Sequence, residues 1–109
     1  MRLIALVALA IGAPLSAQTA APSGQQLGEV LAQRPPAKTY ASTCGYCHGT
    51  NVGPILLGRK LPVDYIRLMA RGGRNGMPAF RPSEITPAEL DALAVWISKS
   101  PKNPMEHGQ

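Results

Sequence analysis

A small all-α domain with long loops is the fold class this sequence predicts, over residues 38–100 of 109. Three observations predict it. Thr86-Pro87-Ala88-Glu89 reads as a helix start, with an N-cap threonine, proline at the first helical position and glutamate at the third. Leu90, Leu93, Ala94 and Ile97 then recur at i, i+3, i+4 and i+7, a stripe that one helix face can bury. No stretch alternates apolar and polar residues as a half-buried strand would, and no segment repeats.

The elements follow in chain order. Residues 1–17, MRLIALVALAIGAPLSA, start with Arg2, continue as an apolar run from Leu3 to Ile11 and end in small residues. That is the layout of an export signal, with cleavage expected after Ala17 or as late as Ala20 or Ala21. The run is too short for a membrane-spanning helix, so no membrane anchor is expected after cleavage, and a bacterial periplasm is the expected location. Residues 18–37 carry Pro22, Gly24, Pro35 and Pro36 and read as a linker, with a short helix possible over Gln25–Gln33. A first helix is expected from about Pro36 to Cys44, its prolines tolerable only at the start. A second is expected from Pro62 to Arg71, stopped by Gly72-Gly73. The third runs from Thr86 until Pro101 ends it. Residues 101–109 are polar, carry two prolines and read as a flexible tail.

Composition narrows the function. The formal charge is +5, and without Arg2 ten basic residues face six acidic ones. The cations are dispersed, and no aromatic residues interleave with them, so nucleic acid is not an expected partner. A folded unit of about 60 residues rarely builds an adequate core alone. One tryptophan, one phenylalanine and three tyrosines offer little bulk. Two loops rich in glycine and proline, 49–61 and 72–85, also need something to pack on. A staple or cofactor is therefore expected.

Thr43-Cys44-Gly45-Tyr46-Cys47-His48 is the one candidate staple, and three chemistries use such a cluster. Structural zinc needs four ligands; Cys44, Cys47 and His48 supply three, and His107 lies far off in the tail. A thiol-disulfide oxidoreductase carries Cys-x-x-Cys after a buried strand and at the start of a helix. Here Pro35-Pro36-Ala37-Lys38-Thr39-Tyr40 precedes the motif and Gly49-Thr50-Asn51-Val52-Gly53-Pro54 follows it, which is neither. Covalent haem attachment needs Cys-x-x-Cys-His and uses all three residues, the thiols for the two vinyl groups and the histidine for the iron. A second axial ligand is available in Met77. It lies in a Gly/Pro-rich loop, with no helical stripe to belong to, and Pro78 after it keeps the chain extended. Met69 reads as a core residue of the second helix, and Met105 and His107 belong to the tail. A haem-ligating histidine gives its other ring N–H to a fixed acceptor, expected here to be the Pro54 carbonyl. Arg59 is placed either against a haem propionate or in solvent.

In this order, Cys44-x-x-Cys47-His48, Gly53-Pro54 and Gly76-Met77-Pro78-Ala79-Phe80 resemble a class I cytochrome c. The resemblance implies three to four helices with long loops wrapped around one covalent haem c, and crossing first and last helices that bring Tyr40 near Trp96. Pro36 departs from the family, which often has a small residue at that crossing. A more specific likeness spans Val52 to Arg59, Leu61-Pro62, Tyr65-Ile66, Arg71 to Gly73 and Met77 to Phe80. These are similar to the cytochrome subunits of 4-cresol dehydrogenase flavocytochromes. That likeness implies an electron-transfer subunit rather than an enzyme. Its expected partner is an FAD-containing dehydrogenase subunit that oxidises 4-alkylphenols. A small copper protein or another cytochrome would then accept the electrons. A free soluble carrier and a quinoprotein-dehydrogenase subunit are the alternatives. The docking face is expected around Gly76 and Ala79, flanked by Arg74 and Arg81.

Overall fold

A computed structural model of the chain describes residues 32–108. The expected export signal lies outside the described residues, as does the possible helix at Gln25–Gln33 apart from Ala32 and Gln33, which are not helical.

The first helical segment is continuous from Pro36 to His48 but changes pitch twice. It runs as α1 (Pro36–Thr39), a π-helical turn (Tyr40–Cys44) and α2 (Gly45–His48). Pro36 opens it at the first helical position as expected, after Pro35 in extended geometry (ψ 144°). The π turn is closed by the Gly45 N–H, which donates to the Tyr40 carbonyl five residues back. One extra residue in a turn re-aims the side chains that follow it. The sequence predicts a stop at Cys44; instead the helix continues through His48 and ends at Gly49, whose N–H donates to the Gly45 carbonyl. Cys44, Cys47 and His48 thus share one helical segment.

The second expected helix is α3 (Val63–Gly72), and Gly73 ends it in the left-handed region at φ 65°. The third is α4 (Pro87–Lys99). Its capping box is formed both ways. The Thr86 hydroxyl accepts from the Glu89 N–H at 3.1 Å, and a Glu89 carboxylate oxygen accepts from the Thr86 N–H at 3.1 Å. Among the described residues there is no strand, only isolated bridges at Thr50–His107 and Arg74–Met77. No described helix is long and apolar enough to cross a membrane.

The amphipathic stripe of α4 is the centre of the core. Leu90, Leu93, Ala94 and Ile97 are all buried, with Ala94 wholly out of solvent. Leu93, Ala94 and Ile97 pack with Tyr40, Leu57 and Ile66, while Leu90 packs with Ala70 and Ile85. Two apolar groups therefore meet along one helix, and α4 packs against both α1 and α3. The Tyr40 and Trp96 rings lie 5.3 Å apart at a tilt of 48°, at the expected helix crossing.

Two expected boundaries are corrected. Residues 34–37 belong to the folded unit rather than to a linker. Arg34 donates Nε–H and an Nη2–H to the two Glu89 oxygens, both at 2.9 Å, and its backbone N–H to Oε1 at 2.9 Å. Such a fork places a planar cation on a carboxylate by two parallel bonds. The segment 101–108 is not a free tail either. The His107 N–H donates to the Gly49 carbonyl at 3.0 Å, and the Asn51 N–H donates to the His107 carbonyl. Gly58 donates to the Ser100 carbonyl at 3.0 Å, where its φ of 81° and missing Cβ let Lys102 pass. Backbone amides need partners wherever water is displaced, and the 49–58 loop and the tail supply each other's.

Candidate functional site

The helix crossing leaves an apolar cleft beside α4. Its cavity, of about 240 Å³, is lined by Leu90, Leu93 and Ile97 of α4, by Ile66, Met69 and Ala70 of α3, and by Cys44, His48 and Met77. A second cavity of about 310 Å³ continues past Cys47, Val52, Gly53, Gly76 and Pro78, and it shares Cys44, His48, Pro54, Met77 and Phe80 with the first. A single open cleft thus brings together the cysteine pair, the histidine and the loop methionine. Cavities of a few hundred Å³ are the size of small-molecule and cofactor sites.

His48 is set by its local backbone. Its Nδ1 lies 2.7 Å from the Pro54 carbonyl oxygen. A carbonyl only accepts, so Nδ1 carries the proton and Nε2 keeps its lone pair. The 48–54 turn that allows this is tied by the Gly53 N–H, which donates to the Cys47 carbonyl at 2.8 Å. A Cβ at Gly53 would lie 3.1 Å from His48 Nδ1 and 3.2 Å from Cε1. Only a glycine lets this chain pass so close to the imidazole without displacing it.

Cys44 and Cys47 are free thiols three residues apart, on the same side of the helical segment. Cys44 is half-buried, and burial pushes its thiol up to about 11, with the neighbouring Cys47 adding to the shift. A disulfide-exchange nucleophile needs the opposite, a thiol lowered toward neutrality at a helix N-terminus or beside a cation. The thiol-disulfide reading therefore lacks both its strand and its reactive cysteine. Zinc also loses support, since no group of three or more His, Cys, Asp or Glu converges among the described residues.

Met77 is half-buried and lines both cavities. A tight turn holds its backbone, with Arg74 N–H to Met77 O at 3.1 Å and Met77 N–H to Arg74 O at 2.9 Å. Asn75 takes the left-handed conformation this turn needs, at φ 52°. Gly73 lets the turn lie against the end of α3, since a Cβ there would come within 2.8 Å of both the Met77 oxygen and the Ala79 nitrogen. Met69, read from sequence as a core residue, lines the first cavity instead. Arg59 is exposed and lines neither cavity; its guanidinium donates to the Ile55 carbonyl at 3.5 Å, the outer limit of a hydrogen bond. His107, bound to Gly49 and Asn51 through its backbone, is also absent from both linings.

These residues fit a c-type haem. The cleft is apolar, its one histidine presents a free Nε2, its one loop methionine lies on the same cavity, and two thiols border it. Leu56, Leu61, Tyr65 and Phe80, named above only as part of the family likeness, line the cavity from the loops and from α3, and Ile85, which no motif announced, joins them. Gly53 is visible in the sequence only as a neighbour of Pro54, although it is the residue against the imidazole.

Known proteins resemble this chain over most of the described residues. Residues 31–97, more than half of the chain, match the family described as cytochrome c oxidase, cbb3-type, subunit III. The chain is 41% identical over 64 residues to the cytochrome c subunit of 4-cresol dehydrogenase (hydroxylating) from Pseudomonas putida, covering 57% of each protein. The chain thus spans little more than half the length of that relative. A crystal structure of p-cresol methylhydroxylase with substrate bound aligns with a TM-score of 0.56 at 38% identity, covering 62% of this chain and 93% of the matched one. A second p-cresol methylhydroxylase structure aligns with a TM-score of 0.55, also at 38% identity, covering 61% and 93%. The chain belongs to the cytochrome c family, in the group that includes subunit III of cbb3-type cytochrome c oxidase.

Proposed function

We propose that the chain is a periplasmic monohaem cytochrome c that carries single electrons as the electron-accepting subunit of an FAD-dependent 4-alkylphenol dehydrogenase. The observation that carries this reading is the pairing of His48 and Met77 on one apolar cleft, with His48 Nδ1 held 2.7 Å from the Pro54 carbonyl. The likeness to a 4-cresol dehydrogenase cytochrome subunit supplies the partner class.

Bound haem c supplies an iron centre that takes up and gives back one electron. Cys44 and Cys47 would hold it by thioether bonds, and His48 Nε2 and the Met77 sulfur would ligate its iron. Pro54 fixes the imidazole's rotation and its tautomer by accepting its N–H. The neutral thioether of Met77 favours the reduced state and so a higher potential. If both side chains bind the iron, no place would be left there for a substrate, and this subunit would perform no bond chemistry. The aliphatic side chains of α3 and α4 exclude water from one side of the cleft. Arg59 has a weak competing bond and is free to meet a propionate.

The second cavity reaches the surface at Cys47, Val52, Gly76 and Pro78, with Val52 68% exposed. Arg74 lines this opening and Arg81 follows the Met77 loop in sequence; both are exposed. We place the docking face for the flavoprotein there; electrons leave to a small copper protein or another cytochrome.

Export in a host with haem maturation tests the reading. One covalent haem, no titratable thiol and copurification with an FAD protein from the native source are expected. Two free thiols with no haem would overturn it. A haem protein that never associates with a flavoprotein would remove the partner and leave a free carrier.

A further inference from the structure

The Arg71 guanidinium is bonded to the segment after Met77, and nothing in the haem motif calls for it. It lies in the last turn of α3 and is half-buried. One terminal nitrogen donates to the Phe80 carbonyl at 3.0 Å and the other to the Ile85 carbonyl at 2.9 Å. No carboxylate pairs with it among the described residues, whereas Arg34 and Arg67 both have such partners. A half-buried cation kept without a counter-ion needs strong neutral acceptors, and here both are backbone oxygens of one loop.

The two acceptors bracket the segment that returns from Met77 to α4. Phe80 also donates its N–H to the Ala70 carbonyl at 2.8 Å, so the chain is fixed three residues after Met77. Before Met77, the turn at Arg74 fixes it again. Between these two ties lie only Pro78 and Ala79. The planar fork of Arg71 spans Phe80 and Ile85 in one rigid group, which a lysine ammonium cannot do.

We infer that Arg71 is a positioning residue for Met77: by clamping Phe80 and Ile85 it holds the loop against α3 so that the thioether stays on the iron side of the cleft. The inference rests on the reading of Met77 as an iron ligand. It assigns to Arg71 the strength of that ligation rather than the ligation itself.

The test is competition at the iron in the full-length, haem-loaded protein, with imidazole as the probe. Imidazole must displace the methionine, so its apparent affinity reports how firmly the loop holds Met77. Arg71→Met loses two charge-assisted bonds and should bind imidazole on the order of tenfold to a hundredfold more tightly. Arg71→Lys, which can serve one carbonyl at a time, should fall between, and it also serves if Arg71→Met does not fold. Arg67→Met removes a surface pair on the same helix, with Asp64 and Asp91, and should leave imidazole affinity unchanged. If both Arg71 variants bind imidazole as the parent does, the inference is overturned. Met77→Ala separates the two ideas. If Met77→Ala leaves the parent's axial-ligand spectrum unchanged, the ligand assignment itself fails and the role of Arg71 falls with it. If it changes that spectrum while the Arg71 variants are silent, only the role of Arg71 fails.

Discussion

Glu89→Gln should cost stability at neutral pH and almost nothing in acid. The Arg34 side-chain bonds hold the Glu89 carboxyl well below its ordinary value of 4.5, at about 2; the Arg34 and Thr86 backbone N–H groups add to this and burial opposes it. The fall from 4.5 to about 2 corresponds to at most about 3.4 kcal/mol, at about 1.36 kcal/mol per tenfold. Arg34 is 35% exposed, so water screens the pair, and about 1.5–2 kcal/mol is the working figure. The folded value lies below the unfolded one. The stabilisation is therefore complete above about 4.5 and lost as pH falls through about 2. Glutamine keeps the shape and can still accept from Thr86, but it does not titrate. Thermal unfolding of the haem-loaded parent and variant should differ by about 6–16 °C at pH 6, and the gap should close toward pH 2. An equal gap at pH 6 and pH 2.5 would show that the loss is one of packing and not of charge.

Other perturbations reach different parts of the molecule. Gly53→Ala puts a methyl about 3.1 Å from His48 Nδ1; it should cost about 1–2 kcal/mol and shift the reduction potential, read by redox titration. Ile97→Ala removes a side chain that is 1% exposed between the core and the cleft, and should cost about 2–5 kcal/mol in denaturant unfolding. Deleting residues 105–109 removes the acceptor of the Asn51 N–H, so that amide should exchange faster with deuterated water while the α4 amides do not change. Arg74→Glu with Arg81→Glu should slow reduction by the flavoprotein at low salt, with the difference shrinking as salt screens it. Unchanged rates at low ionic strength would move the docking face elsewhere.

Much of this architecture is legible in the sequence because its signals are local. The capping box at Thr86 and the stripe on α4 need only neighbours in sequence, and both form as written. The Tyr40–Trp96 contact follows from the family likeness, and the rings do meet. What stays hidden depends on distant partners. Arg34 reads as a linker residue until Glu89 is seen across from it. Residues 101–108 read as a tail because their ties to the loop are the backbone pairings of His107 with Gly49 and Asn51, and backbone pairing leaves no trace in composition. The π turn at Tyr40–Cys44 is a matter of pitch, invisible to a pattern of apolar residues. Met69 does sit on an inward helix face, but that face looks onto the cleft rather than into solid packing. The cleft itself is foreshadowed by the Cys44-x-x-Cys47-His48 motif with Met77 and by an excess of glycine and proline loops over core.

The pairing of His107 with Gly49 and Asn51 also sets an order of events. A chain that emerges from its N-terminal end presents Cys44, Cys47 and His48 long before the residues that brace the loop behind them. Until that late segment arrives, the Asn51 and Gly58 amides lack their acceptors. Contacts between segments so far apart in sequence form slowly, because the intervening chain must first be closed into a loop. Residues 100–107 thus close last, and the loop behind His48 gains its final backbone partners only when the most distant part of the described domain has folded onto it.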